Sequence, residues 1–149
     1  MSHLSRSALV PYSAAEMFAL VADIDGYENF LPWCGGSRVL SVDGQQVVAE
    51  VEINFKGVRK AFVTENTNVP DEKIIMQLKE GPFKRLDGTW QFSDLGGGTK
   101  VNLELDFEFA GDLVGRMLSP IFGGIAGTMV ESFVQQAEKV YGKRKFDLG

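Results

Sequence analysis

The sequence predicts an α+β fold in which an antiparallel sheet packs against helices collected on one face. Three observations predict this class. Segments with a period of two occupy residues 47–109, the turns between them are short, and an amphipathic helical pattern runs from Ser119 to about Tyr141. The apolar side chains of that pattern sweep an arc of roughly 220°, whereas an ordinary surface helix shows a stripe of ~100°. A helix with so wide an arc is expected to be gripped by the sheet.

The N-terminal elements are predicted to be one strand and two helices. Residues 3–10 form the strand. Ser13 followed three residues later by Glu16 is a capping box, which predicts that a helix begins there. A second, short helical segment is predicted from Gly26 to Leu31, and it ends before Pro32 because the residue before a proline avoids the helical region.

Six further strands follow the helices. The clearest is 101–109, in which apolar residues alternate strictly with polar ones. The connections Asp43-Gly44, Pro70-Asp71 and Gly96-Gly97-Gly98 are short turn sequences. Neighbouring strands are therefore expected to be antiparallel hairpins.

The C-terminal helix is predicted to begin with Ser119 as its cap and Pro120 at its first helical position. Three glycines follow, Gly123, Gly124 and Gly127, and each costs about 1 kcal/mol relative to alanine inside a helix. Two explanations stay open for them. One is the close approach of a partner or a flexible gate, and the other is tight packing of a neighbouring loop.

Length and charge narrow the class of protein. The 149 residues are predicted to form a single domain, 1–149. The formal net charge of -5 gives no pull toward phosphate backbones, so DNA binding is not expected. The start lacks an apolar signal region, and the longest uncharged stretch, Met117 to Val130, is too short to span a bilayer. We expect no transmembrane segment, and at most a peripheral membrane contact.

The sequence offers little for catalysis. His3 is the only histidine, so no Ser-His-Asp or Cys-His pairing can form and no zinc spacing is present. Asp23 and Asp25 are more consistent with turn residues than with a paired-carboxylate site. The single cysteine, Cys34, is predicted to be a small buried thiol, and the lack of a disulfide partner suits the cytoplasm. We therefore expect no enzyme, metal or cofactor.

Aromatic and methionine side chains favour an apolar cavity between the C-terminal helix and the sheet, although a plain packed core gives the same pattern. Such a cavity suits a lipid or quinone and is expected to measure at least ~300 Å³. Candidate polar contacts are Thr64, Gln77, Lys84 and Arg85. The candidate lining residues are Phe30, Trp33, Phe55, Phe62, Met76, Phe83, Trp90, Phe107, Phe109, Phe122, Ile125, Met129 and Phe133.

Five motifs occur in one order along the chain: Leu9-Val10-Pro11-Tyr12-Ser13, Tyr27-x-x-Phe30-Leu31-Pro32-x-Cys34, Gly81-Pro82-Phe83-Lys84-x-Leu86-x-Gly88-x-Trp90, Leu105-Asp106-Phe107-Glu108-Phe109 and Phe133-x-x-x-Ala137-x-x-Val140-Tyr141. Together they resemble the START-like, polyketide cyclase/dehydrase-type group that includes the bacterial ribosome-association toxin RatA and the mitochondrial coenzyme-Q-binding protein. The resemblance runs from about Leu4 to Tyr141. Trp33 departs from the family pattern, because a small residue is expected at this position. The tryptophan side chain could narrow the mouth of a pocket.

The resemblance implies a helix-grip fold, a curved antiparallel sheet wrapped around the long C-terminal helix with a tunnel between them. It implies binding of ubiquinone, or another isoprenoid or lipid, in support of respiration. For the bacterial toxin–antitoxin branch it implies binding of the large ribosomal subunit, which blocks subunit association, and an antitoxin protein as a partner. An aromatase/cyclase enzyme and a general lipid-transfer protein are the alternatives.

The net negative charge of the chain is unfavourable for binding ribosomal RNA, which is also negatively charged. A contact with the ribosome therefore needs a locally basic surface or a protein-mediated one. Lys84 and Arg85 are the candidate contact, because they fall on a predicted loop from Gly81 to Leu86 that could project from the scaffold.

Overall fold

The computed structural model describes residues 2–146, and of Asp112 and Val114 it describes the backbone alone. Met1 and residues 147–149 of the predicted domain lie outside the described residues. Helices α1, α2 and α3 and a short 3₁₀ helix accompany seven strands. In chain order the elements are β1 (Ser2–Val10), α1 (Ala14–Ala22), the 3₁₀ helix (Ile24–Asn29), β2 (Cys34–Asp43), β3 (Gln46–Phe55), β4 (Val58–Val69), β5 (Lys73–Glu80), β6 (Phe83–Asp94), β7 (Thr99–Phe109), α2 (Asp112–Gly127) and α3 (Met129–Tyr141).

All seven strands belong to one antiparallel sheet with the order β1-β7-β6-β5-β4-β3-β2. Strands β2 to β7 follow each other as hairpins, and β1 closes the sheet against β7, with Ser2 opposite Phe107 and Val10 opposite Thr99. The register shifts in β2, between β4 and β5, and near the start of β6. Because such bulges bend a strand and increase its twist, they allow the sheet to curve around the helix. The predicted helix-grip fold is confirmed.

The predicted capping box is present at the start of α1. Ser13 Oγ accepts a hydrogen bond from the Glu16 amide at 3.1 Å, and the Ser13 amide donates to Glu16 Oε1 at 3.0 Å. The second helical segment is a 3₁₀ helix that begins at Ile24, two residues earlier than predicted. Its Asp25 accepts a hydrogen bond from the Val39 amide at 2.9 Å, which ties the segment to β2.

The predicted start of the C-terminal helix is wrong. Helix α2 begins at Asp112, so Pro120 lies inside it, and Ser119 is not its cap. Proline at this position removes the hydrogen bond to the Arg116 carbonyl. Arg116 and Pro120 are both exposed, so water can replace that bond. The helical path then breaks at Thr128, whose hydroxyl donates to the Ile125 carbonyl at 2.8 Å.

Within residues 2–146, one helical stretch, Gly115–Tyr141, is long and apolar enough by composition to cross a membrane. This stretch is longer than the uncharged segment considered from the sequence. A core helix has the same composition, and here Phe122, Ile125 and Phe133 are buried against the sheet. The buried part, 33% of the most apolar section of the stretch, packs inside the protein.

Two of the three glycines that follow Pro120, Gly123 and Gly124, are not crowded in the way that tight loop packing would require. A Cβ added at Gly124 would meet nothing within 4 Å, and one at Gly123 would meet only Phe107, at 3.9 Å. At Gly127 the neighbours are side chains of β1, with Arg6 Nη2 at 3.6 Å. The explanation by a tightly packed loop is therefore wrong for Gly124.

Two aromatic clusters fill the space between helices and sheet. Phe133 of α3 is fully buried, and its ring meets three others edge-on, with centroid distances of 5.3 Å to Tyr27, 5.3 Å to Phe30 and 5.4 Å to Trp90. Phe122 of α2 is the centre of the second cluster. Its ring contacts those of Phe62, Phe83, Phe107 and Phe109.

The C-terminal segment is fastened to the start of α1 by Arg144. Its guanidinium donates to both carboxylate oxygens of Glu16, at 2.6 and 2.8 Å, and lies over the rings of Tyr12 and Tyr141. Tyr12 Oη in turn donates to the Gly142 carbonyl at 2.7 Å. The hydrogen bond from Arg144, together with the capping bond from the Ser13 amide, lowers the pKa of Glu16 to about 2.

Acid is expected to weaken the ion pair between Arg144 and Glu16. Because the pKa of Glu16 is lower in the folded protein than its ordinary value of 4.5, its contribution to stability is present above pH 4.5 and is lost as the pH falls through about 2. The Tm of Arg144→Ala should therefore lie below that of the wild type at pH 6, and the two should converge toward pH 2. Thermal melts of both proteins across this range measure the difference. A Tm difference that does not change with pH would contradict a stabilising role of the ion pair between Arg144 and ionised Glu16.

Candidate ligand cavity

A cavity of about 90 Å³ lies between the curved sheet, α2 and the beginning of α3. Its position agrees with the expected tunnel, but its volume is well below the expected ~300 Å³. Bulky rings and methionines from both layers fill much of the space. The lining residues are Ile24, Tyr27, Trp33, Phe62, Thr64, Asn66, Met76, Leu86, Trp90, Leu103, Leu105, Phe122, Ile125, Ala126 and Met129.

Seven of the predicted lining residues border this cavity: Trp33, Phe62, Met76, Trp90, Phe122, Ile125 and Met129. The other six lie elsewhere. Phe30 and Phe133 belong to the aromatic cluster around α3, and Phe107 packs against Phe122. Phe83 and Phe109 stack on each other at the end of the sheet, where they border a void of about 10 Å³. Phe55 borders an outer groove.

Polar side chains on β4 contribute to the cavity wall. Thr64, one of the predicted polar contacts, is buried there, and so is Asn66, which the sequence reasoning missed. The period of two that places Phe62 inward also places Thr64 and Asn66 inward, so the alternation contained the signal. The prediction is wrong for the other three polar contacts. Gln77, Lys84 and Arg85 are exposed and do not border the cavity.

Two of the lining residues carry buried polar atoms without hydrogen-bond partners. These atoms are Trp33 Nε1 and Asn66 Oδ1, and Asn68 Oδ1, two residues further along the same face of β4, is a third. Trp33 is 6% exposed and Asn66 is 4% exposed. The wall is thus apolar except at a few buried hydrogen-bonding atoms, an arrangement that is typical of sites for small hydrophobic molecules.

An outer groove of about 440 Å³ lies beside the cavity, between the Phe55-Lys56 turn and α2. Trp33 and Ile125 border both spaces, so their side chains stand between the groove and the cavity. This position agrees with the expectation that Trp33 narrows the mouth. The remaining groove residues are Pro32, Phe55, Lys56, Pro120, Ile121, Gly124 and Thr128.

The predicted loop from Gly81 to Leu86 is wrong, because β6 already begins at Phe83. Lys84 and Arg85 therefore lie on a strand, and both are exposed. Arg85 is paired with Asp87, with Nε 2.7 Å from Oδ1. Other arginines of the outer sheet surface are also paired, Arg38 with Glu50 and Arg59 with Glu52. This face carries mixed charge rather than a basic patch.

The described residues show no group of three His, Cys, Asp or Glu side chains that could hold a metal ion. Cys34 is half-buried rather than fully buried, and its thiol donates to the Gly36 carbonyl at 3.3 Å. Burial raises the pKa of this thiol, so its reactive thiolate form is disfavoured. His3 lies at the sheet edge, where it pairs with Asp106 and Glu104.

The fold and cavity define a class of protein, the helix-grip domains that enclose an apolar space between a curved sheet and a C-terminal helix. The family described as "Polyketide cyclase / dehydrase and lipid transport" matches residues 10–134. A Pseudomonas aeruginosa protein named "Ribosome association toxin RatA" is 43% identical over 142 residues, which cover 95% of this chain and 99% of the relative. The chain therefore belongs to the polyketide cyclase/dehydrase and lipid transport family, the START-like group.

Two further similarities come from more distant proteins. A Xenopus laevis protein named "Coenzyme Q-binding protein COQ10 homolog B, mitochondrial" is 32% identical over 149 residues, covering 97% of this chain and 61% of the relative. The crystal structure of the Streptomyces ZhuI aromatase/cyclase superposes with a TM-score of 0.77, covering 93% of this chain and 94% of that one, at 16% identity. At that identity the similarity concerns the fold alone.

Proposed function

We propose that this protein binds a hydrophobic, ubiquinone-like molecule in the cavity between the sheet and the C-terminal helices. The observation that carries the proposal is the apolar cavity itself, bordered by both of the chain's tryptophans and by Met76 and Met129. Methionine side chains adapt readily to an irregular ligand because they are unbranched and flexible. The coenzyme Q-binding name of the Xenopus relative supports a quinone.

The volume of about 90 Å³ sets a condition on this binding. This space is well below the ~300 Å³ of a typical small-molecule site, so lining side chains have to move apart as the ring enters. The outer groove beside Trp33 and Ile125 offers a path for an isoprenoid tail. In this proposal the ring occupies the cavity and the tail leaves through the groove.

Native mass spectrometry of the purified protein tests the proposal directly. We expect an adduct with the mass of a quinone or lipid, and we expect a short-chain ubiquinone analogue to quench tryptophan emission because Trp33 and Trp90 both border the cavity. The matched reference is the same protein after extraction with organic solvent and refolding. A protein without adduct that also leaves its emission unchanged on titration would contradict the proposal.

We propose binding rather than catalysis, in the cytoplasm. Activation of a nucleophile or a proton transfer requires a titratable group at the reacting atoms. The described side chains that border the cavity include one such group, the Tyr27 hydroxyl, which donates to the Val21 carbonyl and whose pKa is raised by burial. An aromatase/cyclase activity would need a substrate that reacts without a further acid or base.

A second candidate function is association with the large ribosomal subunit, as a toxin with a cognate antitoxin protein. It is favoured by relatives such as the Pseudomonas protein, whose printed name is that of a ribosome association toxin. An acidic chain with a formal charge of -5 has to concentrate such a contact in a few basic side chains. Lys84 and Arg85 remain one candidate pair, and the exposed Lys143 and Lys145 beside Arg144 are the other.

A salt series distinguishes these two basic groups. If Lys84 and Arg85 contact phosphates, the double variant Lys84→Ala/Arg85→Ala should reduce the steepness of the fall in binding with salt by about one to two phosphate equivalents, at roughly 0.7–0.9 per phosphate. Sedimentation with purified large subunits measures this slope, with Lys143→Ala/Lys145→Ala as the matched control. Failure of the wild type to sediment with subunits at low salt would exclude ribosome association.

A further inference from the structure

The buried polar atoms of the cavity wall indicate which hydrogen-bonding groups a ligand carries. This inference rests on the proposed ligand binding. On the inner face of β4, Asn66 and Asn68 lie among apolar neighbours. In the sheet register Asn66 is opposite Val47 on β3 and Met76 on β5, and Asn68 is opposite Ile74. Asn66 Oδ1 and Asn68 Oδ1 are both buried without a hydrogen-bond donor.

Such atoms are costly to leave without partners. A buried acceptor without a donor costs about 1–3 kcal/mol, and buried side-chain polar atoms in proteins nearly always have a partner. A leucine at position 66 would fill a similar volume in the apolar wall without that cost. The asparagine is therefore better explained by a partner that occupies the cavity than by the packing of the wall.

The inventory of these atoms specifies the chemistry of that partner. Of the two that border the cavity, Trp33 Nε1 is a donor only, whereas Asn66 Oδ1 is an acceptor. A ketone or quinone oxygen can accept from Trp33, but it has no hydrogen to give to Asn66. A hydroxyl group can accept from the indole and also donate to an amide oxygen. A ligand therefore needs both hydrogen-bond donors and acceptors to pair with the polar atoms of the wall.

We propose that the cavity selects an apolar molecule that carries hydroxyl groups, and that among quinones it takes the reduced hydroquinone in preference to the oxidised form. Asn66 is the residue that discriminates, because its Oδ1 accepts from a ligand hydroxyl. Trp33 contributes a donor that both redox forms can use. The same chemistry could come from another phenol or alcohol of similar size.

Three ligands that share one tail test this selection in the wild-type protein. They are a short-chain ubiquinone analogue, its hydroquinone kept reduced under anaerobic conditions, and the dimethyl ether of that hydroquinone. The ether keeps the oxygens and removes the hydroxyl hydrogens. One additional hydrogen bond contributes roughly a 3- to 10-fold difference in affinity. We expect the hydroquinone to bind more tightly than the other two by that factor, measured by calorimetry.

Variants assign the selection to the named atoms. Asn66→Leu should bring the affinities for hydroquinone and quinone to about the same value. Thr67→Val is the matched control, since it removes a hydroxyl from the opposite face of β4, where Thr67 Oγ1 donates to Gln46 Oε1, and it should keep the preference. Trp33→Phe should weaken both forms by a similar factor and leave their ratio unchanged.

The outcomes separate this inference from the proposed function. Binding of all three ligands with equal affinity, or tighter binding of the quinone, overturns the hydroxyl selection alone. A preference that persists in Asn66→Leu overturns the role of Asn66. No binding of any of the three overturns the proposed function and the selection with it. The wild-type comparison decides the selection even where Asn66→Leu fails to fold.

Discussion

Phe133→Ala is expected to lower the free energy of unfolding by about 3–5 kcal/mol, the typical cost of truncating a fully buried phenylalanine. Phe133 is 0% exposed, and its ring joins α3 to Tyr27, Phe30 and Trp90. Truncation removes these edge-on contacts and leaves a void that close-packed neighbours can only partly fill. Urea denaturation followed by circular dichroism measures the change.

Val140→Ala is the matched control for this prediction. Val140 lies seven residues further along α3 and is 54% exposed. Its truncation should change the free energy of unfolding by less than about 0.5 kcal/mol, as surface substitutions usually do. Equal changes in the free energy of unfolding for the two substitutions would show that Phe133 does not contribute to the core as its burial indicates.

Met129→Asp is expected to weaken binding of a short-chain ubiquinone analogue by about 100-fold or more. Met129 borders the cavity, and a charge placed in an apolar environment costs several kcal/mol unless it is neutralised. Burial raises the pKa of a carboxyl group. The introduced carboxyl should therefore become protonated on mild acidification, and part of the lost affinity should return. Quenching of tryptophan emission, titrated at two pH values, measures both effects.

Met129→Leu keeps the volume and the apolar character of the side chain, so its affinity should stay within about 10-fold of the wild type. Near-ultraviolet circular dichroism of both variants shows whether the fold is intact. A folded Met129→Asp protein with wild-type affinity would place the ligand outside this cavity.

Most of the sheet could be predicted because its signal is local. The alternation in β7 and the short turns between β2 and β7 depend on a few neighbouring residues, and so does the capping box of α1. The C-terminal helix differs, because Ser119-Pro120 is a strong local start signal that tertiary packing overrides. The wide apolar arc combines the buried faces of α2 and α3, which meet at Thr128.

The cavity was predicted more coarsely than the fold. Aromatic residues identified the layer that encloses it, but which rings border the space and which fill the core depends on contacts between distant elements. Phe122 and Phe133 both belong to the helices, yet the first borders the cavity and the second is enclosed by three rings. Asn66 was missed because a polar residue in a strand suggests an exposed face, and hydrophobicity alone does not reveal a buried acceptor.

The pairing of β1 with β7 has a consequence for synthesis of the chain. Val10 is opposite Thr99 and Ser2 is opposite Phe107, so β1 has no partner strand until almost all of the sheet has been made. At about 5–20 residues per second, this delay is on the order of 5–20 s. Until then Leu4, Ala8 and Val10 lack their partner strand, whereas each strand from β3 to β7 can pair with the strand translated just before it. β1 is thus the strand that is longest without its partner, and during that time it needs protection from aggregation.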